Sequence, residues 1–185
     1  MHARQSPRCL KPGSVLCAKK WGRAKLKDGN RNHPPSMINK FVSSVSEALA
    51  DTRDGATVMI GGFGTAGIPD ELIAGLLAQG ARDLTLVNNN AGNAEQGLAA
   101  LLKAGRVRKI ICSFPRQTDS YVFDGLYRSG QLELELVPQG NLAERIRAAG
   151  AGIGGFFTPT GYGTELAKHA DGSLKETREI DGRMY

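Results

Sequence analysis

From residue 37 onward, apolar positions alternate between two spacings. Short apolar-rich runs at Thr57–Ile60, Leu84–Val87, Val107–Cys112 and Leu132–Val137 predict strands, since buried strands read as brief apolar stretches between turn signals. Between and after them, Asp70–Gln79, Glu95–Ala104, Asp119–Ser129 and Asn141–Ala149 predict helices. A shorter helix, Val42–Ala50, precedes the first strand, with Val42, Val45 and Leu49 on one face. Gly80, Gly105, Gly130 and Gly150 stand where a left-handed residue ends a helix. Asp70 and Glu71 open one helix, where its dipole favours acids. Asn141 with Glu144 spells a capping box.

Strands alternating with helices predict an α/β fold. The sheet is mainly parallel, with helices on both faces and right-handed connections. The functional loops then follow the strands on one edge: residues 61–67, 88–93, 113–118 and 138–141. No internal sequence repeat is visible. Near the end, Asp181-Gly182 between residues 176–180 and 183–185 predicts a hairpin.

Composition changes the picture at one end. The formal charge is +6. Residues 1–36 hold nine Lys/Arg against one acid, whereas residues 37–185 hold fifteen against seventeen. The basicity belongs to the leading segment, so the body gives no argument for nucleic acid. That segment is proline-rich and lacks apolar periodicity, and is expected to be a basic disordered extension to a domain spanning residues 37–185. It reads as upstream translation ahead of a start at Met37, as an organelle transit peptide, or as a nucleic-acid-binding arm. No apolar run reaches the ~18 residues of a membrane span. Cys9, Cys17 and Cys112 form neither a disulfide framework nor a zinc site, and no metal is expected. A reducing cytoplasmic setting fits.

The chemistry points to Gly61-Gly62-Phe63-Gly64-Thr65-Ala66-Gly67, which joins the first strand to its helix. Glycines there let a ligand approach the backbone. Gly62 to Gly67 matches the G-x-G-x-x-G dinucleotide pattern, which opens an NAD(P)-dependent oxidoreductase reading. That pattern wants an acid at the end of the next strand, and here Asn88-Asn89-Asn90 follows. A merely structural tight turn is the plainer alternative.

The longer stretch from Asp54 to Pro69 resembles the first signature of the family I CoA-transferases. Asn89-Asn90-Ala91-Gly92, the run from Pro138 to Arg147, and the run from Thr158 to Thr164 resemble their A (α) subunit. The likeness extends from Met37 to Tyr185 and is stronger to the branch acting on 3-oxoadipate than to the acetoacetate branch. It implies a NagB/RpiA-like fold, with roughly the last third of the subunit missing. It also implies CoA transfer from succinyl-CoA to a 3-oxo acid, with coenzyme A as substrate and no tightly bound cofactor. In that family a glutamate on the B (β) subunit is the nucleophile, within a Ser-Glu-Asn-Gly type motif that this chain lacks. The resemblance therefore implies no catalytic residue here, and a heterodimer or heterotetramer with the B subunit.

The residues expected to bind CoA or substrate are Gly61, Gly62, Phe63, Gly64, Thr65, Ala66, Gly67, Asn89, Asn90, Arg116, Gln139 and Gly140. The glycine loop supplies N–H donors, and the amides donate without adding charge. Arg116 suits the second carboxylate of a dicarboxylic substrate; a solvated loop arginine is the alternative. Glu71, Glu95 and Glu144 sit at expected helix starts, where cap roles suffice. Cys112 ends a strand without a neighbouring His, so it reads as core. The glycines between 150 and 163 suggest close approach by a partner or by CoA.

Overall fold

The computed structural model describes residues 41–169 and 171–185, which belong to one compact unit, Phe41–Tyr185. The readings of residues 1–36, the Met37 start and Cys9 and Cys17 lie outside the described residues.

Four parallel strands form the sheet in the order β1 (Thr57–Met59), β2 (Leu84–Val87), β3 (Val107–Cys112), β4 (Glu133–Leu136). Each step moves one strand in the same direction. Right-handed crossovers therefore put α2 (Asp70–Gln79), α3 (Leu98–Lys103) and α4 (Tyr121–Arg128) on one face. Their apolar residues Ile73, Leu76, Leu101, Leu102 and Phe123 close over Leu84, Leu86, Ile110 and Cys112. Burying an aliphatic side chain this fully contributes about 1.5–3 kcal/mol. Alternation along the strands turns Val87 and Ile111 to the opposite face, where they pack with Val137 and with Leu142 of α5 (Gln139–Gly150).

α2 has the predicted bounds and ends on Gly80 at φ 95°. In the other helices the ends move. α1 spans Val45–Leu49, because Ser44 caps it by accepting a hydrogen bond from Glu47 N. Val42 falls outside it and is exposed. α3 starts at Leu98 rather than Glu95, because Ala94 and Gly97 adopt φ of 49° and 53°, which a helix cannot contain. The Asn141–Glu144 capping box does not form. Pro138 precedes the helix with φ −50°, so Asn141 already lies in the first turn, and Glu144 pairs with Arg147. β5 (Glu179–Ile180) and β6 (Arg183–Met184) form the predicted hairpin, with Asp181 and Gly182 both at positive φ. Among the described residues it pairs with no other strand. No described helix is long and apolar enough to cross a membrane.

Candidate functional site

The loops after β1 and β2 have one conformation, although they share only two glycines. In the first, Phe63 and Ala66 exchange backbone hydrogen bonds of 3.0 Å between Gly62 and Gly67. In the second, Gln96 N donates to Asn93 O between Gly92 and Gly97. The φ angles of Gly62, Gly64 and Gly67 are 111°, 64° and 69°; those of Gly92, Ala94 and Gly97 are 87°, 49° and 53°. The repeat lies in backbone shape, with little trace in side-chain identity.

Phe63 N and Ala66 N are therefore engaged within the loop. The first turn of α2 carries Asp70 and Glu71, so a pyrophosphate there would face two carboxylates. Both features weigh against the dinucleotide reading.

Three asparagines divide the labour after β2. Asn88 Nδ2 donates to Ile60 O at 2.5 Å and to Gly61 O at 3.2 Å. Asn90 Nδ2 donates to Gly64 O at 3.2 Å, and Asn90 Oδ1 accepts from Gly92 N at 2.9 Å. Both are buried clips between loops. Asn89 faces the next loop: its backbone oxygen accepts from Phe114 N at 2.9 Å, and its Oδ1 accepts from Ser113 Oγ at 2.6 Å.

A cavity of about 580 Å³ opens above these strand ends. It brings together Phe63, Gly64, Asn89, Asn90, Arg116 and Gln139 from the expected set, and adds Ser113, Phe114, Gln117 and Thr118. Among the described residues, no carboxylate lines it. Phe63 and Phe114 stand at 66% and 68% exposure, so neither is a core residue within this chain. Arg116 Nε donates to Asp124 Oδ1 of α4 at 2.8 Å. Thr65 lines a separate cavity of about 210 Å³ between the twin loops. Gly61, Gly62, Ala66, Gly67 and Gly140 line neither cavity. A third cavity, about 440 Å³, collects Gly154, Gly155, Phe157, Gly161, Tyr162 and Tyr185 near Asn141.

Ser113 and Gln117 belong to the loop that the sequence marked only for its arginine, since neither type stands out there. The acids are elsewhere. Glu95, two residues ahead of the α3 cap, pairs with Lys103 at 2.5 Å, and that hydrogen bond lowers its pKa. Glu144 is held likewise by Arg147. Cys112 is fully buried, and burial pushes its thiol up to about 12, so the thiolate is negligible near neutrality. Among the described residues, no group of His, Cys, Asp and Glu is placed to hold a metal ion.

A family model described as coenzyme A transferase matches residues 42–185. The chain is 69% identical over 149 residues to the A chain of the 3-oxoadipate CoA-transferase of Pseudomonas putida, covering 80% of this chain and 62% of that one. It is 52% identical over 164 residues to human mitochondrial succinyl-CoA:3-ketoacid coenzyme A transferase 2, covering 82% of this chain and 31% of that one. It therefore spans less than two thirds of these relatives' length. The apoenzyme structure of an acyl-CoA transferase (YdiF) from Escherichia coli O157:H7 superposes with a TM-score of 0.63 at 25% identity, over 78% of this chain and 31% of that one.

Proposed function

This chain belongs to the coenzyme A transferase family, and from that premise we propose that it forms the A-type half of a two-subunit site moving CoA from succinyl-CoA to 3-oxoadipate. The observation that carries this reading is the cavity at the strand ends. Amide, hydroxyl and guanidinium donors converge there from the segments after β2, β3 and β4, and among the described residues no carboxylate lines it. Such a lining suits ligands rich in carbonyl and carboxylate oxygen. The 69% identity to a chain of a 3-oxoadipate CoA-transferase supports the choice of acceptor.

The nucleophile comes from a partner. The succinyl thioester is attacked by a glutamate of a B subunit, which releases CoA thiolate and forms a mixed anhydride. The thiolate attacks the anhydride to give glutamyl-CoA and free succinate, and 3-oxoadipate reverses the two steps. This chain contributes positioning and charge stabilisation. Asn89 presents an amide beside the glycine loop, Gln139 another, and Arg116 reads the carboxylate that does not react. The assembly is a heteromer with a B subunit in the cytoplasm, and CoA passes through it as substrate.

The test is co-expression with a B subunit, followed by assay of the complex for transfer from succinyl-CoA. Thioester formation with 3-oxoadipate in preference to acetoacetate is expected. Preference for acetoacetate would move the chain to the 3-ketoacid branch. CoA binding without turnover on either acceptor would make it a non-catalytic CoA-binding subunit.

A further inference from the structure

Gln117 is fixed at its backbone and left open at its side chain. Its N–H donates to Ser120 Oγ, and its carbonyl accepts from the same hydroxyl at 3.1 Å. Ser120 is itself buried at the entrance to α4. Two residues earlier, Pro115 O accepts from Ala91 N at 3.3 Å, so the loop is also tied to the one after β2. Within this mount, Gln117 Nε2 is buried with no hydrogen-bond acceptor among the described residues. An orphaned buried donor costs about 1–3 kcal/mol and is uncommon enough to need a cause.

Gln117 also lines the cavity beside Arg116. Asp124 engages Arg116 through Nε, and no described residue is paired with its two terminal nitrogens. Rotation about the last side-chain torsion, a broad one in glutamine, would free the buried NH₂ to turn toward a ligand in that cavity. A guanidinium end and an amide NH₂ on adjacent residues then supply donors, with no acceptor of negative charge between them. That pair matches one carboxylate group: the arginine meets the charge and the amide takes the second oxygen.

The geometry points to Gln117 as a specificity-determining residue, the partner of Arg116 in holding the non-reacting carboxylate of a dicarboxylic acceptor. This rests on the acyl-transfer reading above, and it adds a residue and a selection rule to it. A monocarboxylic acceptor such as acetoacetate has no group for the pair and gains nothing from it.

The test uses the complex with its B subunit, in two variants: Gln117→Met and the isosteric Gln117→Glu. Loss of a hydrogen bond to a charged group corresponds to roughly a tenfold or greater change in affinity. Gln117→Met is expected to raise KM for 3-oxoadipate about tenfold and leave acetoacetate within about twofold. Gln117→Glu is expected to raise it further, because a carboxylate would face a carboxylate. Equal losses on both acceptors, or no loss on 3-oxoadipate, would overturn the inference. Calorimetric binding of adipate against hexanoate needs no turnover, and so separates this claim from the transfer reading. Wild type is expected to prefer adipate and Gln117→Glu to lose that preference. Equal binding of both acids by wild type would sink the carboxylate pair even in an active transferase.

Discussion

Asn90 Nδ2 donates to Gly64 O across 3.2 Å, and this bond joins the loop after β2 to the loop after β1. The same side chain accepts from Gly92 N at 2.9 Å, and the Asn90 backbone N–H donates to Asn88 Oδ1 at 2.9 Å. At 2% exposure it acts inside the wall of the cavity. Asn90→Ala strips partners from two backbone groups at once. Both groups are part-buried, so each costs at most what a buried unpaired group does, about 1–3 kcal/mol, and water entering the space returns part of that. Urea unfolding is expected to show a loss of about 2–4 kcal/mol, with cavity contacts weakened as the loops part. A loss below about 0.5 kcal/mol would show that the clip does not hold the loops.

The twin loops predict opposite tolerance at two glycines. A Cβ on Gly92 would lie 2.4 Å from Ala99 N, at φ 87°. A Cβ on Gly64 would meet nothing within 4 Å, and its counterpart Ala94 already holds positive φ. Gly92→Ala should cost about 2–5 kcal/mol from strain and backbone overlap together. Gly64→Ala should cost about 1–2 kcal/mol. Thermal unfolding of the two variants side by side checks the ranking.

The sequence carried most of the scaffold and only part of the site. β2, β3 and α2 were legible to the residue, because turn signals bracket their apolar residues and Gly80 marks a stop for α2. The start of α3 was hidden because Ala94 adopts a conformation its residue type disfavours, and only the neighbouring loop explains that. Asn89 and Asn90 are expected at the substrate and Asn88 is not, though the residue type alone does not separate the three. Tertiary contacts make Asn88 and Asn90 clips, and place Asn89 and the buried Asn90 in the cavity wall. Gln117 was illegible for a plainer reason: a missing hydrogen-bond acceptor is a property of the folded neighbourhood, and no sequence pattern encodes it.

Cys112 is expected to resist alkylation. Its thiol is buried and its pKa is pushed up to about 12 by that burial, so almost no thiolate is present at pH 8. Peptide mapping after iodoacetamide treatment should find Cys112 modified only once the protein is unfolded. Rapid labelling of the folded chain would contradict the packing of β3 against the helices.

The side of the sheet that faces α5 gives a pH prediction. Glu135 accepts from Arg145 at 2.6 Å and lies 3.0 Å from Lys109 Nζ. The Arg145 bond, helped by Lys109, holds the Glu135 carboxyl below its ordinary pKa. A carboxyl lowered in the folded state stabilises fully above its unfolded pKa, and that contribution disappears as pH falls through the folded value. The pairs are partly solvated, so at most about 1 kcal/mol is at stake. The Tm gap between wild type and Glu135→Gln should hold steady from about pH 7 to 5 and close below about pH 4, as the wild-type carboxylate takes up its proton. A gap that widens on acidification would reverse the assigned sign.

Gly75 decides how α1 docks. A Cβ there would lie 2.3 Å from Val45 Cγ1 and 3.0 Å from Leu49 Cδ1, the two residues that α1 turns toward α2. Helix propensity alone makes Gly75→Ala favourable by about 1 kcal/mol. Overlap opposes it by about 1–3 kcal/mol, and Val45 is β-branched and has little rotamer freedom with which to yield. The clash should win, but locally. α1 has five residues and none is fully buried, so it can lift away while the sheet stays folded. Gln79 Nε2 holds Thr52 O at 2.6 Å beyond the end of α1, and that bond should loosen with it. Hydrogen exchange in Gly75→Ala is therefore expected to quicken over residues 45–52 and remain slow in β2 and β3. Adding Val45→Ala removes the opposing methyl groups and should restore protection. If the double variant exchanges as fast as the single one, the clash with Val45 is not what undocks the helix.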